Sequence, residues 1–373
     1  MDTMRFILVA SALLLPALLL PAQSTYDLTG KPDASIKEPF TQVAGVRELP
    51  GNRAIVTDQS ERVVFLVDFQ QGSRRQVGRQ GDGPAEYRFP MAPFPAAGTT
   101  TWILDATLRR VHVIAPDGSF GPSLTPPYGA VPGGLLAARG VDSRGRMYFE
   151  GNSFNSETGR FTDSVAVIGW DPSTNAAESL GKVWSGGRVM TQRGGFTASV
   201  ARSILPFPHI DAWAALPDGR VALVRQSPHT IAFLERGKAP TSGPVLSVTA
   251  IPVTAAERDA YRERNSAARM TATGGGESRR FQVEDASFPA DMPAFIATTV
   301  LGDASGRIWI GRSYRSTDRT WRYDLYDAHG AHVGVATLPV HSMIIGFGDG
   351  TVYVARTDPA DDLVYLDRYR FKR

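Results

Sequence analysis

Apolar residues in this 373-residue chain gather in short runs of strand length, each opened by a tight turn. Six segments share the pattern: "LPGNRAIVTD", "AAGTTTWILD", "DSRGRMYFEG", "LPDGRVALVR", "DASGRIWIGR" and "GDGTVYVAR". A glycine-bearing turn followed by β-branched and aromatic residues is a hairpin signal. The turn glycines Gly51, Gly98, Gly145, Gly219, Gly306 and Gly350 are spaced by 47, 47, 74, 87 and 44 residues. A unit of about 45 residues fits one four-stranded propeller blade. A second turn follows five of the six, at Gly72, Gly118, Pro172, Gly237 and Gly330, whereas the sixth unit ends after "LVYLDRYRF" with three strands.

The pattern predicts an all-β fold, a six-bladed β-propeller. The last blade is expected to be completed by a strand from between Thr25 and Phe40, which would also remove an exposed edge. Two separate β-sandwiches share short strands and regular turns, but six equivalent turns and one unfinished unit favour the ring.

The two long spacings are insertions, about residues 185–204 in the third unit and 252–293 in the fourth. In the second, "TAAERDAYRERNSAARM" has Thr254 placed as N-cap and Glu257 three residues on. That capping box predicts a helix from Ala255 to Met270. Its apolar stripe is thin, so a weakly packed element is expected.

Composition adds the compartment. Residues 1–24 carry an apolar run from Phe6 to Leu20, interrupted by Pro16 and followed by small residues at Ala22 and Ser24. This is the pattern of a cleaved signal peptide, too short for a membrane span of about twenty residues. A start at Met4 would give it a cleaner basic end. The propeller domain is then 25–373. There are no cysteines, hence no disulfides, no thiolate chemistry and no lipid-acceptor cysteine. A periplasmic or extracellular, non-lipoprotein bacterial chain is expected, most simply a monomer. The formal charge of +3 without a Lys/Arg stripe is no nucleic-acid footprint.

The glycine-rich stretch "GRQGDGPAEY" (78–87), the "PDGR" hairpin, "IPVTAAERDAY", "FPADMPAF" before "GRIWIGR" and the closing "YLDRYRF" together resemble the exported six-bladed propellers of environmental bacteria, distant relatives of the NHL-repeat propellers. The resemblance covers nearly the whole mature chain. In that family the stretch runs G-x-x-G-x-G-P-G-E-F; here Ala85 replaces the last glycine and Tyr87 the phenylalanine. The resemblance implies a fold and leaves activity open.

A phosphate loop needs a helix directly after its glycines. Here "GPAEYRFPMAPFP" follows, and its prolines forbid one. The stretch is therefore expected to turn the corner from blade one to blade two.

In an up-and-down blade the glycine turns fall on one face. The second-to-third strand loops, the blade connections and both insertions fall on the other, the better candidate for function. The residues closing each second strand point toward it: Asp58, Asp105, Gly151 with Glu150 before it, Arg225, Arg312 and Arg356. They form a candidate ligand-binding set at the channel mouth, with arginines suited to carboxylate, sulfate or phosphate. The alternative is structural: Asp58 and Asp105 capping their own loops and the arginines forming inter-blade salt bridges. No cofactor is expected. A divalent metal would draw on His209, Asp211 and His341, but a catalytic metal usually needs three protein ligands and an open position. His112 reads as a strand residue, and His229, His329 and His332 as loop or surface residues. No GxSxG elbow is present. The leading expectation is an exported binding module for a protein, peptide or glycan. The alternative is a metal-dependent hydrolase or lyase at the channel mouth.

Overall fold

The computed structural model describes residues 23–129, 134–155, 160–186, 188–192, 200–270 and 285–371. They form six blades. Blade one is the antiparallel series Val43–Leu49, Arg53–Asp58, Val63–Asp68 and Ser73–Val77. Blade three is Leu135–Val141, Met147–Gly151, Ser164–Asp171 and Ala176–Trp184. Blade four is Ala212–Ala215, Val221–Gln226, His229–Leu234 and Thr241–Val245. Blade five is Leu301–Gly302, Ile308–Gly311, Thr320–Tyr326 and His332–Pro339.

Blade two departs from the four-strand pattern. After Pro90–Pro95, Thr101–Asp105 and Arg110–Ile114, its fourth position is reduced to two isolated bridges, Val111 with Leu124 and Ile114 with Phe120. The segment "FGPSLTPP" explains this, because prolines at 122, 126 and 127 have no N–H for a ladder.

The six turn glycines all adopt left-handed backbone, with φ between 63° and 92°. In each hairpin this conformation lets two strands reverse within a few residues. Between turns the side chains alternate with period two, and both sheet faces are buried. In blade one, Ile55 packs with Ile103 and Ile114 of blade two, while Ala54 and Val56 pack with Tyr353 and Leu366 of blade six. Equivalent clusters fill the gaps between blades two and three, three and four, four and five, and five and six. Six interfaces, the last joining blade six to blade one, make a closed ring and exclude two separate sandwiches.

The innermost strands approach closely around the axis. A Cβ on Gly302 would lie 2.5 Å from the Ala215 carbonyl oxygen of blade four, so no larger residue fits without backbone movement.

Closure of the ring follows the expectation. Blade six contains Ser342–Gly348, Thr351–Thr357 and Val364–Arg370, and Ala34–Ser35 pairs antiparallel with the last of these. Asp33 N, Ile36 N and Phe40 N donate to the carbonyls of Arg368, Leu366 and Val364 at 2.9, 3.0 and 2.7 Å. The N-terminal segment does more than expected: Ser24–Asp27 adds a fifth, parallel strand to blade five, beside His332–Pro339.

The first insertion contributes the hairpin Arg188–Gln192 with Val200–Ile204; residues 193–199 lie outside the described residues. The second contributes a helix with the expected bounds, Ala255–Met270. Among the described residues no helix is long and apolar enough to cross a membrane.

Candidate functional site

The face carrying the longer loops holds a cavity of about 520 Å³ between blades four and five. Three segments meet there: the exit of blade four from Ser247 to Ile251, the end of the second insertion from Met292 to Ala294, and the second-to-third strand loop of blade five from Arg312 to Arg322. By topology all three lie opposite the glycine turns.

The insertion helix fixes this wall. Thr254 Oγ1 caps the helix by accepting from Glu257 N at 3.4 Å. The Glu257 carboxylate, however, does not complete the capping box. It accepts from Ser316 N at 3.1 Å and Ser316 Oγ at 3.0 Å, which ties the helix to the cavity loop. The expectation of weak packing is corrected by Tyr261, whose ring meets Phe207 and Phe288 at centroid distances of 5.2 and 5.5 Å. Residues 271–284 lie outside the described residues.

At the base of the cavity wall stands a charged cluster that spans the two blades. Arg312 Nε donates to Asp324 Oδ2, and Arg312 Nη1 donates to His229 Nε2 at 3.1 Å. His229 Nδ1 lies 2.9 Å from the Arg225 carbonyl, which only accepts, so Nδ1 carries the proton and Nε2 is free to accept from Arg312. Arg312 Nη2 also reaches Ser247 O at 3.3 Å and Tyr326 OH at 3.4 Å. Burial holds His229 below the ordinary imidazole range; the bond to Arg225 opposes that shift and the Arg312 charge adds to it. Asp324 is 2% exposed and also meets Arg322 Nε at 2.9 Å.

Reading His229 as a loop or surface residue is therefore corrected: it is the first residue of a blade-four strand, buried, and stacked on Phe295. The apolar run "TIAFL" directly after it was the available signal. Asp324 and the cavity lining other than Arg312 carried no local sequence signal, because the segments that meet there are far apart along the chain.

The other strand-end candidates occupy separate places. Asp58 is fully buried and accepts from Thr41 N at 2.7 Å, Gln42 N at 3.2 Å and Glu61 N at 3.1 Å. Asp105 accepts from the N–H groups of Arg88, Phe89, Thr107 and Leu108 at 2.6 to 3.2 Å. Glu150 pairs with Arg139 at 2.8 Å on the neighbouring inner strand. Arg356 pairs with Asp367 at 2.8 Å, so its salt bridge and that of Arg312 join strands of the same blade; the contacts of Arg312 with His229 and Ser247 cross to the next. The Arg225 side chain is exposed. Arg225 and Arg312 are thus brought together through His229, and Arg312 alone of the six lines the cavity.

Asp211 Oδ1 accepts from Gln226 N at 2.9 Å, and burial raises its pKa. His209 is half-buried, whereas His341 is exposed at φ 63° in the turn entering blade six. Among the described residues no group of three or more histidines and acids is arranged to hold a metal.

The stretch 78–87 closes on itself. Glu86 bonds Gly83 N at 2.7 Å and Arg79 Nε at 2.7 Å, and Arg110 Nη2 donates to the carbonyls of Gly83 and Glu86 at 2.7 and 2.9 Å. Tyr87 is fully buried, with its hydroxyl donating to Val77 O at 3.0 Å and accepting from Val64 N at 3.3 Å. It is a corner held by Glu86 and Tyr87 of the stretch and by Arg110 of blade two. Tyr87→Phe is expected to lower stability in urea by about 1 kcal/mol, the net worth of a buried hydrogen bond; an unchanged midpoint would show that ring packing alone anchors the corner.

No family model matches the chain, and no curated protein matches it. Among solved structures, the calcium-binding protein regucalcin of Agrobacterium tumefaciens is 12% identical and covers 94% of this chain and 97% of its own, with a TM-score of 0.46. A gluconolactonase of Xanthomonas campestris is 10% identical over 93% and 98%, with a TM-score of 0.44. Virginiamycin B lyase of Staphylococcus aureus is 9% identical over 90% and 97%, with a TM-score of 0.41. Likenesses this distant do not choose between binding and catalysis.

Proposed function

We propose that this chain is an exported propeller, akin to the NHL-like family, that binds a peptide, glycan or protein through its loop-rich face, with the cavity between blades four and five as the point of recognition. The observation that carries the reading is the cavity itself: its size falls within the range of about 300–1,000 Å³ typical of ligand sites, and a dedicated insertion is latched across its wall through Glu257 and Ser316. Export is supported by the apolar run from Phe6 to Leu20.

The test is a screen of the purified chain on peptide and glycan arrays, repeated with Thr249→Trp, which fills the cavity, and with Arg53→Ala on the opposite, glycine-turn face. Hits that Thr249→Trp removes and Arg53→Ala retains are expected. Hits insensitive to Thr249→Trp, or one metal ion per chain that is lost on replacing His209 or His341, would move the site to the channel mouth and favour the metal-dependent hydrolase or lyase.

A further inference from the structure

We infer that the ligand group seated in this cavity is an organic anion, a carboxylate or a sulfonate joined to an apolar body. The inference rests on the cavity being the binding site and adds the chemistry of what binds there.

The cavity has two unlike walls. Val248, Ile251, Met292 and Pro293 line it from the blade-four exit and the insertion, and Arg312 and Arg322, beside Tyr314 and Trp321, from blade five. Val248 is apolar and 37% exposed, so covering it is favourable by the ordinary hydrophobic effect. On the charged side, one buried carboxylate faces two guanidiniums: Asp324 takes Arg312 on Oδ2 and Arg322 on Oδ1. His332 Nε2 stands 3.8 Å from the same Oδ1.

The two arginines are not equivalent. Arg312 is 14% exposed and spends its donors on Asp324, His229, Ser247 and Tyr326. Arg322 is 57% exposed, and Asp324, met through Nε, is its one ion-pair partner among the described residues. Its Nη groups remain for a ligand, in the planar fork that fits a carboxylate or sulfonate.

The surrounding charge has the same sign. From Arg312 to Asp324 the chain carries four arginines against two aspartates, and Asp318, the acid lining the cavity, is engaged by Arg315 N at 2.7 Å. An anion whose apolar part covers Val248 and Ile251 would satisfy both walls at once. A neutral ligand would leave the Arg322 fork facing solvent.

The test uses two fluorescent probes with a similar apolar body, 8-anilinonaphthalene-1-sulfonate and its uncharged counterpart N-phenyl-1-naphthylamine, titrated into the full-length purified protein. The sulfonate is expected to bind more tightly. Arg322→Gln should weaken it by about tenfold, the scale of one lost charge-assisted bond, and leave the neutral probe unchanged. Thr249→Trp should remove both, with Ser313→Trp as a second filling variant and circular dichroism confirming the fold. If Thr249→Trp removes both probes but Arg322→Gln affects neither, the anion inference is overturned and the cavity reading stands. If neither filling variant changes binding, the cavity reading fails and takes this inference with it.

Discussion

Ending the chain before Leu363 is expected to abolish cooperative unfolding. The lost segment is the third strand of blade six, which lies between that blade's second strand and the N-terminal strand Ala34–Ser35 and pairs with both. Val364 and Leu366 leave the interface with blade one, each worth about 2 kcal/mol of apolar burial. Arg368 goes with them, and with it the bonds to Asp33 Oδ2 at 2.7 Å and Asn52 Oδ1 at 3.0 Å. Asp367 also goes, leaving Arg356 and Ser35 without their shared acceptor. These losses are comparable with the whole stability of an ordinary domain, about 5–15 kcal/mol. Deleting residues 25–40 should have the same result, because the closure is made from both sides. A sharp urea transition retained in either truncation would show that the ring does not depend on this joint.

The closure was legible because it is a matter of counting. Five units with two turns and one with a single turn leave one strand missing, and the N-terminal segment was the remaining supply. The insertion helix was legible for a local reason: Thr254 and Glu257 mark its start within four residues. The cavity was not legible. Arg312 was visible as a strand-end residue, but its partners Asp324, His229 and Ser247 lie 12, 83 and 65 residues away along the chain, and no periodicity connects them. The weak fourth position of blade two was hidden differently, since its prolines were present but the repeat count outweighed them. Glu257 illustrates a third case. Its sequence position fits a capping box, yet the native fold offers it the half-buried Ser316 hydroxyl and N–H on another blade, and that tertiary partner prevails.

Asp105 is the single side chain whose removal is expected to cost most. It is fully buried, and four backbone N–H groups from Arg88, Phe89, Thr107 and Leu108 end on its two oxygens. Alanine would strand these donors where water does not replace the acceptor, at about 1–3 kcal/mol for each one left unsatisfied. We expect Asp105→Ala to lose about 4 kcal/mol, and Asp105→Asn, which keeps one good acceptor, about half of that. The acid dependence gives a second readout. Burial alone would raise the carboxyl pKa, but His112 and the N–H groups of Leu108, Arg88 and Phe89 outweigh it and hold the pKa at about 2. In the unfolded chain the value returns to about 3.9. The group therefore binds its proton more readily when unfolded, so its stabilisation is complete above about pH 4 and is lost as the pH falls through 2. Urea midpoints of wild type and Asp105→Ala should be well separated at pH 7 and draw together between pH 4 and pH 2, by an amount on the order of 2 kcal/mol. A gap that stayed constant over this range would mean that Asp105 acts by filling space, and that its charge contributes nothing to holding the corner between blades one and two.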